Sequence, residues 1–338
     1  MKIVVTGSAG FIGNALAYRL LEDGHDVIGI DSLTPYYDVT LKQARLARLT
    51  PFSRYTDYRT DLNDADGITA IFAEHKPARV AHLAAQPGVR ETLNTPKLYV
   101  DSNVCGFLTI LEACRHHEVG HLVYASTSSV YGGNRRLPSS EHRGVDHPLN
   151  LYAATKRANE LMAHCYSHIF GIPTTGLRFF TVYGPWTRPD MALLKFATAM
   201  AEGRPIELHN EGKMQRDFTY VDDIVEGMVR VLDREPEPDW DWSDQDPDPA
   251  TSGIAPFRLY NIGNSESVPL MRYVEALEAA MGVTAEKILV PIGAGEMEAT
   301  LADTGDLARD FDYRPQTSVE DGVARFVAWF RDYYDFKA

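Results

Sequence analysis

At 338 residues, 44% of them hydrophobic and 24% charged, the chain has an ordinary globular balance and the length for one large or two smaller domains, which excludes disorder and a fibrous repeat. A formal charge of −14 argues against nucleic acid as a partner and requires any anionic ligand to find a local basic pocket. No stretch approaches the roughly 18 uninterrupted apolar residues of a membrane span. Met1-Lys2 runs into a short strand rather than a secretory leader, so no membrane partner and a cytoplasmic location are expected.

Residues 2–6 (KIVVT) read as a strand, and GSAGFIG follows with Gly7, Gly10, Phe11, Ile12 and Gly13 before a helical pattern through Ala15, Leu16 and Leu20. Glycines there permit a tight turn, and a helix N-terminus offers free N–H groups and a positive dipole to a pyrophosphate. A second strand, DVIGID, ends in Asp31 about 20 residues on, where a carboxylate binds both adenosine ribose hydroxyls and repels a 2′-phosphate. This favours NAD over NADP; the plain alternative is that Asp31 only terminates a strand. The run at 80–85 (VAHLAA) reads as another buried strand whose small residues leave room for a cofactor. Cys105, Cys114 and Cys165 lack CxxC pairing and fall in helical patterns, which predicts reduced core residues.

A strand at 121–131 (HLVYASTSSVY) runs into four hydroxyls, Ser126 to Ser129, and a loop over 132–150 delivers the chain to LYAATK. There Tyr152 and Lys156 stand four residues apart on one helical face. A nearby cation lowers a phenol's pKa from about 10 toward the range of a base, which makes Tyr152 a candidate proton shuttle; the plain alternative is a surface Tyr and Lys on an amphipathic helix. His116, His117, His164 and His168 lack convergent partners, so no metal site is expected.

The second half opens on a strand in GIPTTGLRFFTVYGP, then a helix over Leu193 to Ala201 and a strand, turn, strand, helix series to 232. Asp222 and Asp223 begin that last helix and suit its dipole better than catalysis. Residues 235–256, rich in proline and acid, read as a surface loop or lid. FRLYNIGN resumes as a strand, Pro269 starts a helix, and 305–338 reads as an amphipathic helix packing Phe326, Trp329 and Phe330.

The Gly-x-x-Gly-x-x-Gly spacing, together with Asp31, the hydroxyl cluster and the Tyr152/Lys156 pair, resembles the extended short-chain dehydrogenase/reductase superfamily. RFFTVYGPWTRPDMAL narrows this, being similar to the UDP-glucuronate 4-epimerases. The resemblance implies an α/β fold, a Rossmann-type doubly wound parallel sheet with a smaller, interleaved C-terminal lobe. Residues 1–180 would bind NAD and 181–338 the UDP-sugar, with segments of the second half returning to the first. It also implies that Asp61 and Leu62 lie against the adenine, that Ala84 and Asn103 stand near the cofactor, and that Thr127 bonds the reacting sugar hydroxyl beside Tyr152. Lys156 would lower the Tyr152 pKa and hold the nicotinamide ribose. Ser128, Ser129, Thr181 and Arg188 would hold the sugar and its carboxylate, Arg216 the diphosphate, and Glu296 the uridine side.

Two positions depart from the resembled pattern: Thr187, where glycine is frequent, and Gly293-Ala294, where an arginine often precedes the acid. The implied reaction oxidises C4 of UDP-glucuronate with bound NAD, turns the 4-keto sugar over and reduces its other face. Dehydratases and decarboxylases of the superfamily carry acids after the catalytic threonine, where this chain has Ser128 and Ser129. A 4-epimerase of a neutral UDP-hexose or UDP-N-acetylhexosamine is the nearest alternative, and a dinucleotide-binding sensor a more distant one. Relatives are commonly homodimers through a helix pair, for which 99–118 and 152–169 are the candidates.

Overall fold

Ile3, Val4, Val5, Val27, Ile28, Val80, Ala81, Leu122 and Val123 are at most 2% exposed, the mark of strands covered on both faces. The computed structural model describes residues 1–293 and 297–336. Its strands are β1 (Lys2–Thr6), β2 (Asp26–Ile30), β3 (Tyr55–Tyr58), β4 (Arg79–His82), β5 (His121–Thr127), β6 (Thr174–Phe179), β7 (Thr181–Tyr183), β8 (Ile206–Leu208), β9 (Gln215–Tyr220), β10 (Phe257–Ile262), β11 (Ser267–Pro269) and β12 (Lys287–Leu289). Seven of them form one sheet in the order β10-β6-β5-β4-β1-β2-β3. Every pairing in it is parallel.

Parallel neighbours need crossovers, and helices supply them on both faces: Phe11–Glu22, Ala65–His75, Gly106–His116 and Leu151–Phe170. The order reverses beside β1, so the loops leaving β1, β2 and β4 diverge there and open a crevice at the carboxyl edge. The remaining strands build a β11-β9-β7 sheet and a β12-β8 pair that wall the crevice from the other side. The chain therefore forms a doubly wound Rossmann-type sheet with a smaller C-terminal α/β portion.

Under the crevice lies a buried charge network. Glu160, on the helix Leu151–Phe170, accepts from Arg178 of β6 at Nε (2.8 Å) and Nη2 (2.9 Å), and neither side chain has exposed surface. Ser126 of β5 donates to the same carboxylate at 2.5 Å and Arg157 at 3.0 Å. Arg178 Nη1 donates on to the Tyr131 hydroxyl, which donates to Asn261 of β10 at 2.6 Å. One carboxylate thus ties together two strands and the helix that carries Tyr152.

Three expectations change. The tail is two helices, Gly305–Phe311 and Val319–Tyr333, because Asp312 turns left-handed (φ 47°) and Pro315 lies in the link. Phe326 and Phe330 are buried as expected. The 235–256 insert is no lid, since none of it lines the crevice. It folds against the helix Leu151–Phe170 instead, with His164 at 3.0 Å from Ser252 Oγ and His168 at 3.0 Å from the Ile254 carbonyl. Of the cysteines only Cys114 is buried, Cys105 and Cys165 lying on exposed turns of their helical segments.

Removing the Glu160 carboxylate leaves Arg178 charged in the core. Glu160→Ala is expected to lower the unfolding free energy by about 3–5 kcal/mol, read as a lower urea midpoint at unchanged slope.

A second tie is pH-dependent. His142 bonds Asp248 of the insert (2.6 Å) and Asp306 (3.1 Å), and these bonds raise its pKa from 6.5 to about 10. A raised cationic pKa contributes stability that is whole below the unfolded value of 6.5 and is lost as pH rises through about 10. The melting temperatures of the natural protein and His142→Gln should accordingly differ at pH 6 and converge by pH of about 10.

Candidate active site

Gly7 turns the chain after β1 with φ 74°, and a Cβ there would stand 2.9 Å from the Ala84 nitrogen. A Cβ on Gly13 would overlap the Gly7 carbonyl outright. The helix Phe11–Glu22 begins at Gly10 without a side-chain cap, so its first N–H groups point into the crevice, as an anion requires. Asp31, at the end of β2, accepts from the Ala9 N–H (3.1 Å) and the Leu33 N–H (2.8 Å). The Asp31 carboxylate therefore braces the glycine turn.

Asn150 caps the helix Leu151–Phe170 by accepting from the Ala153 N–H at 2.9 Å. This fixes the first turn, and with it Tyr152 and Lys156 on the crevice side. β5 ends at Thr127, which lines the cavity with Tyr152 and whose hydroxyl accepts from the Ser129 N–H at 3.2 Å. Burial pushes the Tyr152 phenol above its ordinary pKa, while the Arg188 charge and the Thr127 hydroxyl pull it down. The loop after β7 thus brings Arg188 to the phenol as a cation that the Tyr152/Lys156 spacing does not supply. Burial brings the Lys156 ammonium down to about 8, against the pull of Glu160 one turn on.

The loop carrying Arg188 is anchored from below by Arg45. Its guanidinium is fully buried and donates to the carbonyls of Ala9 (3.0 Å), Trp186 (3.0 and 2.7 Å) and Thr187 (3.2 Å), and to the Tyr37 hydroxyl (2.5 Å). Trp186 takes the left-handed conformation (φ 65°), so Thr187 needs no glycine's freedom and packs fully buried. Arg188 itself forms a bidentate pair with Asp190, at 2.9 Å on each arm. Asp190 overrides the burial penalty and raises the Arg188 pKa, and Arg188 likewise holds Asp190 below the usual carboxylate range.

These groups line one cavity of about 1150 Å³. Its wall includes Gly7, Gly10, Phe11, Ile12, Gly13, Asp31, Asp61, Leu62 and Ala84 on one side. Thr127, Ser128, Ser129, Tyr152, Lys156, Thr181, Arg188 and Arg216 follow on the other. Asn103 stands behind the wall. It lies in a π-helical turn, Val100–Cys105, and its amide takes the Gln86 N–H (2.7 Å) and gives to the Gln86 carbonyl (3.1 Å) and the Thr155 hydroxyl (3.1 Å). It positions the Gln86 loop and the helix of Tyr152 rather than touching the crevice. Glu296 lies outside the described residues.

Sequence reasoning missed Lys42, Tyr36, Asp190, Lys195 and Arg204, which also line the cavity. Lys42 stands on the helix Val39–Ala47, and its ammonium donates to the Thr34 carbonyl at 2.9 Å beside Asp31. Only Asp190 had a signal, as part of the RPDM run beside Arg188. Among the described residues no cluster of His, Cys, Asp and Glu suits a metal, and no helix is long and apolar enough to cross a membrane.

Comparison with known proteins now decides the family. The pattern of the NAD dependent epimerase/dehydratase family matches residues 3–241. The chain belongs to this family. A probable UDP-glucuronate 4-epimerase of Rhizobium meliloti is 45% identical over 99% of this chain and 98% of its own. UDP-glucuronate 4-epimerase 1 of Arabidopsis thaliana is 39% identical, covering 99% of this chain and 78% of the plant protein. The crystal structure of the Bacillus cereus UDP-glucuronic acid 4-epimerase, in complex with UDP-glucuronic acid and NAD, superposes with a TM-score of 0.86 at 33% identity, over 99% of this chain and 100% of that one.

NAD is the cofactor of an epimerase of this family, and the glycine cradle, the free N–H groups and Asp31 fit it. Gly13→Ala forces a methyl onto the Gly7 carbonyl, so the turn must open. Equilibrium titration should then show NAD binding weakened by at least about tenfold, or 1.4 kcal/mol.

Proposed function

We propose that this protein interconverts UDP-glucuronate and UDP-galacturonate through a 4-keto intermediate. The observation that carries the reading is the Tyr152 phenol, half-buried and facing the Arg188 charge in the cavity that also holds Thr127 and the glycine cradle. NAD, when bound, accepts the C4 hydrogen with its electron pair and returns it to the opposite face. Tyr152 Oη removes the proton of the 4-hydroxyl as C4 is oxidised and restores it as C4 is reduced. Thr127 orients that hydroxyl and favours the phenolate. Lys156 holds the nicotinamide ribose, and Asp61, Leu62 and Ala84 enclose the adenine end. Arg188, Thr181, Ser128 and Ser129 grip the carboxylate, and Arg216, with Lys195 and Arg204, neutralises the diphosphate.

Ser128 and Ser129 follow Thr127 and offer no carboxylate for the proton transfers of a dehydratase, which supports a cycle closed at epimerisation. We assign 1–180 to cofactor binding and 181–338 to the UDP-sugar. The exposed Leu98, Leu108, Leu161, Ile169 and Phe170, on helices in 96–116 and 151–170, support a homodimer through these helices. The exposed thiols of Cys105 and Cys165 suit a reducing cytoplasm.

A neutral-sugar 4-epimerase is the second reading, favoured by the fact that Arg188 already has a carboxylate partner. Incubation with UDP-glucuronate should yield a single isomeric UDP-hexuronate on chromatography, and UDP-pentose with CO2 would instead mean a decarboxylase. Tyr152→Phe is expected to reduce kcat by about 10²–10⁴-fold. Arg188→Ala should raise KM for UDP-glucuronate and leave KM for UDP-glucose unchanged, while any loss of kcat through the Tyr152 phenol falls on both substrates alike. An equal rise in KM for both substrates would refute the carboxylate role.

A further inference from the structure

We propose that Asp190 is a positioning residue that turns Arg188 into a one-edged carboxylate clamp and thereby keeps the acid sugar from losing its carboxyl group. The inference rests on the reading above, in which Arg188 meets the substrate carboxylate. A guanidinium has two edges able to take a carboxylate in bidentate fashion, Nε with Nη2 and Nη1 with Nη2. Asp190 fills the first, Nε to Oδ1 and Nη2 to Oδ2 at 2.9 Å each. The Met191 sulfur lies 3.5 Å from the same Nη2. Among the described residues none accepts from Nη1. That nitrogen is therefore the part of Arg188 left to a ligand.

What sets its direction is divided between two anchors. Arg45 holds the loop main chain by the Trp186 and Thr187 carbonyls. Beyond Thr187 the main chain turns back, the Met191 N–H donating to the Arg188 carbonyl at 3.1 Å, and this turn brings Asp190 onto the Arg188 side chain. Arg188 and Asp190 are only 24% and 32% exposed, and both line the cavity. The pair behaves as a rigid unit with one donor nitrogen presented to the sugar.

The chemistry gives that rigidity a purpose. The 4-keto sugar is a β-keto acid. If the C5–C6 bond lies parallel to the carbonyl π system, it breaks, CO2 leaves, its electron pair passes into the C4 carbonyl as an enolate, and C5 takes a proton from solvent. A carboxylate held by a freely rotating fork samples that alignment. One held by a single fixed nitrogen, with the Ser128, Ser129 and Thr181 hydroxyls at its other oxygen, does not.

The test compares the natural protein, Asp190→Asn and Asp190→Glu on UDP-glucuronate, with products resolved by chromatography and released CO2 trapped. UDP-glucose affinity, measured by calorimetry, reports whether the site is otherwise intact. Asp190→Asn should raise the decarboxylated fraction at least about tenfold, leave UDP-glucose affinity unchanged and shift KM less than the product ratio, and Asp190→Glu should return the ratio toward that of the natural protein. An unchanged ratio in an active Asp190→Asn protein overturns the proposal, as does a parallel loss of turnover and UDP-glucose affinity. If Asp190→Asn does not fold, a natural ratio in a folded Asp190→Ser protein overturns it equally. A natural protein inert toward UDP-glucuronate overturns the function reading itself, and this inference with it.

Discussion

Glu160 and Arg178 hold opposite charges where water cannot reach, and the geometry of the cavity depends on that contact. Stripping two ions of water is costly, and each recovers the loss only while the other remains in place. The carboxylate can satisfy Arg178, Ser126 and Arg157 together only if β5, β6 and the helix Leu151–Phe170 keep one mutual arrangement. Thr127 follows Ser126 directly, and Tyr152 and Lys156 lie on turns of the same helix. The distance from the hydroxyl at the end of β5 to the phenol is therefore set by a salt bridge that touches neither.

The chain is strongly acidic, yet the cavity concentrates cations. Lys156, which lines it, and Arg45, behind its wall, are buried, Arg188 is partly exposed, and only Arg188 among them has a bidentate carboxylate. Arg45 meets neutral acceptors on every arm. Its positive charge lies beside the glycine turn, with the Asp31 carboxylate on the same turn. Net charge of −14 and a site for anions are reconciled by keeping the positive charges in a few buried positions rather than on the surface.

Much of this was legible in the sequence because the informative residues are local. The glycine turn, Asp31, the hydroxyl run and the Tyr152/Lys156 pair each occupy a short stretch whose spacing encodes its own geometry. What was illegible depends on distant partners. Nothing in the run around Arg45 shows that its side chain crosses to the Trp186 carbonyl, 141 positions away. Asn103 carries the same residue type whether it faces the crevice or its wall, and a π-helical turn decides which. Arg188 acts on the Tyr152 phenol from a loop in another part of the chain, which no local spacing reports. The insert's acids and prolines mark a surface loop correctly, but only the contact of Asp248 with His142 shows which surface it lies on.

The seventh strand of the main sheet also has a consequence for synthesis. β10, residues Phe257–Ile262, pairs with β6, residues Thr174–Phe179, so the outer edge of β6 has no partner until some eighty further residues have been made. A growing chain that has completed the whole dinucleotide crevice still presents the open backbone of a buried, apolar strand. During synthesis there is thus an interval in which the cofactor half is assembled and its sheet is not.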